Sequence, residues 1–203
     1  MRFSVILPSL LADYPGAATG RSDKLIQAVE SVLAQSFTDF ELIVVADGCD
    51  LTEWLIRKIF GNNAMVHLHK VERRKLFSNE PRNYGISHAR GEYIIYIDND
   101  DRWGRDHLKM VNDNLGGEDW VYFTDYQWNG SEWIERTVDV SQYGRCGTSN
   151  ICHASRLDLR WKDNEDGYGH DFAFIQQLRQ FDNHKFIGPA EYFVCHIGGR
   201  YCV

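Results

Sequence analysis

The strongest constraint on this chain is a change of period that repeats through its first hundred residues. Arg2–Pro8 (RFSVILP), Phe40–Gly48 (FELIVVADG), Ala64–Val71 (AMVHLHKV) and Glu92–Asp98 (EYIIYID) are nearly continuous apolar runs, as in strands buried on both faces. Helical stripes lie between them. Within Ser22–Ser36, Leu25, Ile26, Val29, Val32 and Leu33 recur at helix spacing, with Ser22 as the expected N-cap. Leu51–Gly61 reads as a helix closed by Gly61, and Glu80–Arg90 as a short helix opened by Glu80 and Pro81, with Gly91 beyond its end. Such alternation builds an α/β fold, a mainly parallel central sheet sandwiched by helices. Ligands of these sheets bind beyond the carboxyl ends of the strands. Ser9, Asp47 and the acids from Asp98 to Asp101, which end three of the strands, are therefore expected to converge on one crevice.

After Asp101 the pattern changes. Arg105–Leu115 reads as another helix, and Asp119–Val140 as a hairpin around Asn129-Gly130, a strong turn signal. Ser141–Asn150 is polar and glycine-containing, a loop; His170–Phe181 is an amphipathic helix, and the chain closes with a strand and a glycine-rich tail. The connection Leu10–Lys24 exceeds the usual length of a βα loop and is either a lid or a surface excursion.

The net charge of -7 argues against a general nucleic-acid binder, although basic residues gather between His69 and Arg82. Five cysteines, Cys49, Cys146, Cys152, Cys195 and Cys202, share no C-x-x-C spacing and are expected as free thiols in a reducing cytoplasm. No apolar stretch approaches the roughly 20 residues that span a bilayer. The N-terminus opens in a strand-like run without the features of a signal peptide. The expectation is a soluble cytoplasmic protein, with peripheral membrane contact left open.

Asp98-Asn99-Asp100 sets two carboxylates two residues apart at the end of a buried strand. Such a pair can hold a hard divalent cation, which in turn neutralises a diphosphate. No G-x-G-x-x-G follows the first strand, and there is neither a G-x-x-x-x-G-K-[ST] loop nor a G-x-S-x-G elbow. Trp128, Trp133 and Trp161 are either a platform for a sugar or part of the core.

At this point a resemblance becomes specific. FSVILPS, AVESVLAQSFTDFELIVVADGCD, EPRNYGISHARGEYIIYIDNDD and GHDFAF together resemble, in order and spacing, the family 2 glycosyltransferases of GT-A fold. The match is tight to about residue 105 and looser to about residue 180. The resemblance implies a single Rossmann-like GT-A domain over 1–203, with a nucleotide-sugar-binding half (1–105) and an acceptor-binding half (106–203). It implies an inverting transferase that uses Mn²⁺ or Mg²⁺ and a nucleotide-diphosphate sugar, a UDP-sugar by preference. The acceptor is open among a glycan, a lipid-linked glycan and a modified nucleic acid or protein.

Residue by residue, the resemblance places Pro8, Ser9, Asp47, Arg82, Asn83, Asp98 and Asn99 around the donor nucleotide. Ala46 stands where the family often has a first acid beside Asp47. Asp100 is the expected direct metal ligand, with Asp98 beside it and His196 as a third ligand; Asp101 either joins them or turns the chain. Asp171 matches the catalytic base of a G-x-E-D motif in which His170 replaces Glu; an acid opening a helix is also a routine charge partner of the helix terminus. Arg145–Cys152 falls where the family faces its acceptor. A nucleotidyltransferase and a non-catalytic binding module of the same fold are the alternatives.

Overall fold

The computed structural model describes residues 1–12, 19–73, 78–162 and 169–195. The four expected apolar runs form parallel neighbours: β1 (Phe3–Ser9), β2 (Phe40–Asp47), β3 (Val66–Val71) and β4 (Tyr93–Tyr96), in the order β3-β2-β1-β4. Alternate residues of β1 show why these runs are continuous. Val5 and Leu7 pack with Leu25 and Val29 on one face, whereas Ile6 packs with Ile86 and Phe174 on the other. β1, β2 and β4 therefore bury both their faces and lose period 2, whereas β3, at the sheet edge, is only partly buried and keeps His67 and His69 alternating with apolar residues.

Helices α1 (Arg21–Leu33), α2 (Asp50–Phe60) and α3 (Asn79–His88) link these strands. Helix α1 starts one residue before Ser22, and its N-cap is Gly20 at φ 67, which corrects the expected Ser22 cap. Glycine enters that left-handed conformation without the steric cost another residue carries. Gly61 ends α2 as expected, in a right-handed conformation.

Beyond β4 the sheet continues through elements of the second half. These are β5 (Arg102–Trp103), α4 (His107–Asn114), the hairpin β6 (Trp120–Trp128) with β7 (Trp133–Glu135), β8 (Ile151–Ala154), α5 (His170–Leu178) and β9 (His184–Val194). Among the described residues they complete a nine-stranded sheet, β3-β2-β1-β4-β8-β6-β9-β5, with β7 on β6. β8 runs antiparallel to both β4 and β6, so the sheet changes from parallel to mixed at β4. The sequence reading missed β8. Its four residues include His153, which is buried and bonds the Tyr96 hydroxyl at 2.8 Å through Nε2.

Trp161 settles into the core: it is 3% exposed and stacks on Phe174 at 4.1 Å between ring centroids. The expectation of five free thiols is also corrected. Cys49, Cys146 and Cys152 are free and buried, whereas Cys195 is disulfide-bonded. Pairing depends on proximity in the fold, to which sequence spacing is blind. Among the described residues no helix is long and apolar enough to cross a membrane.

Candidate active site

The order β3-β2-β1-β4 reverses direction at the β1–β4 boundary, where a crevice opens past the strand ends. Pro8 and Ser9 end β1 there, both buried. The Ser9 hydroxyl shares a hydrogen bond with Thr52 at 3.0 Å and accepts one from Asn99 Nδ2 at 3.2 Å. The turn after β4 is thereby tied to the end of β1.

Asp47 ends β2 and is almost fully buried. Burial pushes its carboxyl above the usual range, against the opposing charge of Arg73, while Glu80 adds to the rise. The following glycine explains how Arg73 comes so near. Gly48 adopts φ 60, and a Cβ on it would lie 2.5 Å from the Arg73 Cβ. Only glycine meets both demands.

Asp98 lies past β4 and is half-buried. Arg82, on α3, donates Nη2–H to Asp98 Oδ1 at 3.0 Å and rests over the Trp161 ring at 4.8 Å. Asn83 faces a different partner. Its Nδ2 donates to the Trp161 carbonyl and its Oδ1 accepts from the Trp161 amide, both at 2.8 Å. Asn83 therefore holds the backbone beneath Arg82.

Asp101 points inward, unlike Asp98 and Asp100. It is 3% exposed, accepts from the Tyr192 hydroxyl at 3.0 Å and takes the Cys195 amide at 2.7 Å. Burial pushes its carboxyl well up, and the charges of Asp100 and Asp98 push it further. The Tyr192 hydroxyl in turn accepts the Asp98 amide at 3.1 Å. Asp101 is thus the anchor that fastens the acidic turn to β9.

A cavity of about 600 Å³ joins this turn to the second half. Its lining includes Asp98 and Asp101 from the first half and Asp125, Arg136, Thr148, His170 and Asp171 from the second. Asp171 opens α5 beside Gly169, at φ 116. Its Oδ1 accepts from Thr148 Oγ1 at 2.9 Å and lies 3.1 Å from His170 Nε2. Burial raises the Asp171 carboxyl, but the His170 contact, the Arg82 charge and the Thr148 hydrogen bond outweigh it, leaving it below the usual range. An ionised carboxylate facing a cavity can accept a proton from a bound hydroxyl.

Thr148 belongs to a rigid turn. Asp125, fully buried in β6, accepts from Ser149 Oγ at 2.8 Å, Asn150 Nδ2 at 3.0 Å and Arg136 Nε at 2.5 Å. Sequence reasoning missed this scaffold. The available signal was an Asp inside the apolar run WVYFTDY, since Asp is disfavoured in strands unless it has partners.

Asp98 and Asp100 offer carboxylate oxygens, the ligands a hard divalent cation prefers. Both oxygens of Asp101 are bonded elsewhere. Among the described residues no three His, Cys, Asp or Glu side chains form a complete cage. This partial set fits an ion whose remaining positions are filled by water and phosphate, as is common for Mg²⁺. His196 lies outside the described residues, as do residues 13–18 of the Leu10–Lys24 connection, on which the expectation of a lid falls.

Comparison with known proteins matches residues 17–178 to Glycosyl transferase family 2. The poly(ribitol-phosphate) beta-N-acetylglucosaminyltransferase TarS of Staphylococcus aureus (strain Mu50 / ATCC 700699) is 31% identical over 113 residues, 54% of this chain and 18% of TarS. The putative teichuronic acid biosynthesis glycosyltransferase TuaG of Bacillus subtilis (strain 168) is 30% identical over 107 residues, 52% of this chain and 38% of TuaG. The chain thus spans well under half the length of these relatives. Among solved structures, S. aureus TarS 1-349 in complex with UDP-GlcNAc superposes with a TM-score of 0.74 at 18% identity, covering 98% of this chain and 60% of that one. The mannosyltransferase PcManGT from Pyrobaculum calidifontis, in complex with GDP-Man and Mn2+, superposes with a TM-score of 0.63 at 16% identity, covering 96% and 56%. At these identities the structural likeness speaks for the fold.

Proposed function

This chain belongs to glycosyl transferase family 2, and from that premise we propose that it transfers a sugar from a nucleotide-diphosphate sugar to an acceptor hydroxyl, with inversion at the anomeric carbon. One observation carries the reading: a single cavity is lined by both Asp98, of the acidic turn, and Asp171. The nucleotide-sugar complexes of the two structural neighbours support a donor of that class, and a UDP-sugar is favoured.

In this reading residues 1–105 hold the donor and 106–203 the acceptor. Pro8, Ser9, Asp47, Arg82, Asp98 and Asn99 frame the nucleotide, with Asp47 toward the base and Arg82 toward the diphosphate, while Asn83 acts from behind by holding the Trp161 backbone beneath Arg82. Asp100 and Asp98 would hold Mn²⁺ or Mg²⁺, which supplies positive charge to the departing diphosphate. Arg82, fixed by Asp98 and Trp161, adds positive charge on the chain's own account. Asp171 accepts the acceptor hydroxyl's proton as that oxygen bonds to the anomeric carbon. The bond from that carbon to the phosphate oxygen breaks, and its electron pair leaves with the nucleoside diphosphate. Attack from the face opposite the leaving group inverts the centre.

Thermal unfolding with UDP or GDP, each with and without Mn²⁺, tests the first step. A nucleotide at a hundred times its dissociation constant stabilises by about 2.7 kcal/mol, so UDP with Mn²⁺ is expected to raise Tm clearly. If neither nucleotide does so with the metal present, the transferase reading fails.

A further inference from the structure

The cavity wall beside Asp171 carries two aromatic rings that the transfer chemistry leaves unused. Tyr143 is 56% exposed, and its ring meets that of Phe172 edge to face, 5.6 Å between centroids and 71° between planes. Both rings line the cavity, and Phe172 directly follows Asp171. An exposed ring braced by a second one offers an apolar surface at low entropic cost, suited to the C–H face of a sugar.

The two carboxylate oxygens of the base have different neighbours. Thr148 and His170 engage Asp171 Oδ1. Oδ2 faces Gly147, where an added Cβ would lie 3.4 Å from it. Gly147 has φ -133, which any residue adopts, so the backbone does not demand glycine there. Its missing side chain leaves room in front of Oδ2.

Charge on the wall bears on the kind of acceptor. Asp98, Asp101, Asp125 and Asp171 share the lining with Arg136, Arg145 and His170; two nitrogens of Arg136 are already taken by Asp125, and His170 lies against Asp171. Such a wall gives little attraction to an anionic acceptor.

We infer that Tyr143 and Phe172 form an acceptor subsite for a neutral saccharide, whose ring face stacks on Tyr143 while a hydroxyl reaches Asp171 Oδ2 past Gly147. The inference rests on the glycosyltransferase reading above. Saturation-transfer NMR on the full chain with UDP and Mn²⁺ tests it, with methyl β-D-glucopyranoside, methyl N-acetyl-β-D-glucosaminide and ribitol 5-phosphate as probes. The pyranosides are expected to receive saturation, strongest at their ring-face protons, and ribitol 5-phosphate none. Tyr143→Ala is expected to cut the pyranoside signal about fivefold, Tyr143→Phe to retain it, and both to keep UDP affinity by calorimetry. Equal pyranoside signals in wild type and Tyr143→Ala overturn the subsite, as does saturation of ribitol 5-phosphate alone. Absence of UDP binding sinks the transferase reading instead, and the saccharide signals still decide the subsite.

Discussion

Thr148 donates its hydroxyl hydrogen to Asp171 Oδ1 at 2.9 Å, from a turn that buried Asp125 clamps through Ser149 and Asn150. The proposed base is therefore held by a partner whose own position is set from β6, the strand beside β8. The partner that aims the carboxylate also adds to the larger effects of His170 and Arg82 that keep it ionised.

Thr148→Val keeps the shape of the side chain and removes the donor. Asp171 sits below the usual carboxylate range with that donor in place, so its carboxylate form prevails through neutral pH. Losing the hydrogen bond raises its pKa, and the acid limb of the kcat/KM profile is expected to move to higher pH. A pH–rate series on both proteins checks the direction, and an unmoved limb would show that Thr148 does not tune the base.

Asp171→Asn removes the proton acceptor but keeps the size of the side chain. Transfer is expected to fall by about 10²–10⁴, while UDP affinity stays near wild type. Single-turnover transfer and calorimetry separate the two effects; near-normal turnover would remove Asp171 as the base.

Asp100→Asn addresses the cation. UDP binding in Mn²⁺ is expected to weaken about tenfold or more, roughly 1.4 kcal/mol. In EDTA the variant and wild type should bind UDP alike, because the lost interaction is with the ion. Calorimetry in both buffers is the check.

Glu41 is a stability group remote from the cavity. It is 1% exposed and accepts from Ser4 Oγ at 2.7 Å, the Arg90 amide at 2.8 Å and Arg90 Nε at 2.9 Å. Burial raises its carboxyl, but the Arg90 and Ser4 hydrogen bonds win and hold it below its ordinary value of 4.5. The sign follows: a depressed folded pKa contributes stability above the unfolded value, and that stability is lost as pH falls through the folded value. Glu41→Gln is expected to cost about 1.5–3 kcal/mol at neutral pH, with the gap closing in acid. Urea unfolding at both ends of that window measures it.

Gly91 stands where β4 meets β1. A Cβ there would lie 2.5 Å from both the Phe3 carbonyl carbon and the Ser4 nitrogen, so backbone must move. Gly91→Ala is expected to destabilise by about 1–3 kcal/mol, read as a lower urea midpoint.

Much of the first half was legible in the sequence because its signals are local. The apolar runs became β1 to β4, and Ser9 and Asn99 met as strand ends in a parallel sheet must. Asn129-Gly130 turned the expected hairpin. The second half was harder to read. Strand β8 hid behind His153, whose polarity is satisfied by Tyr96, a residue far away in the chain. Three neighbouring acids looked alike, yet Asp101 turns inward to Tyr192 and Cys195 while Asp98 meets Arg82.

The sequence by itself determined the strand–helix order and the acidic turn after the fourth strand, because hydrophobic period and turn chemistry act over a few residues. The tertiary structure alone decided that Asp98 and Asp171 line one cavity and that Thr148 holds the proposed base. It also decided that Asp101 is an anchor. Those outcomes rest on pairings between segments distant in the chain, where burial forces each polar group to find whichever partner the fold brings to it.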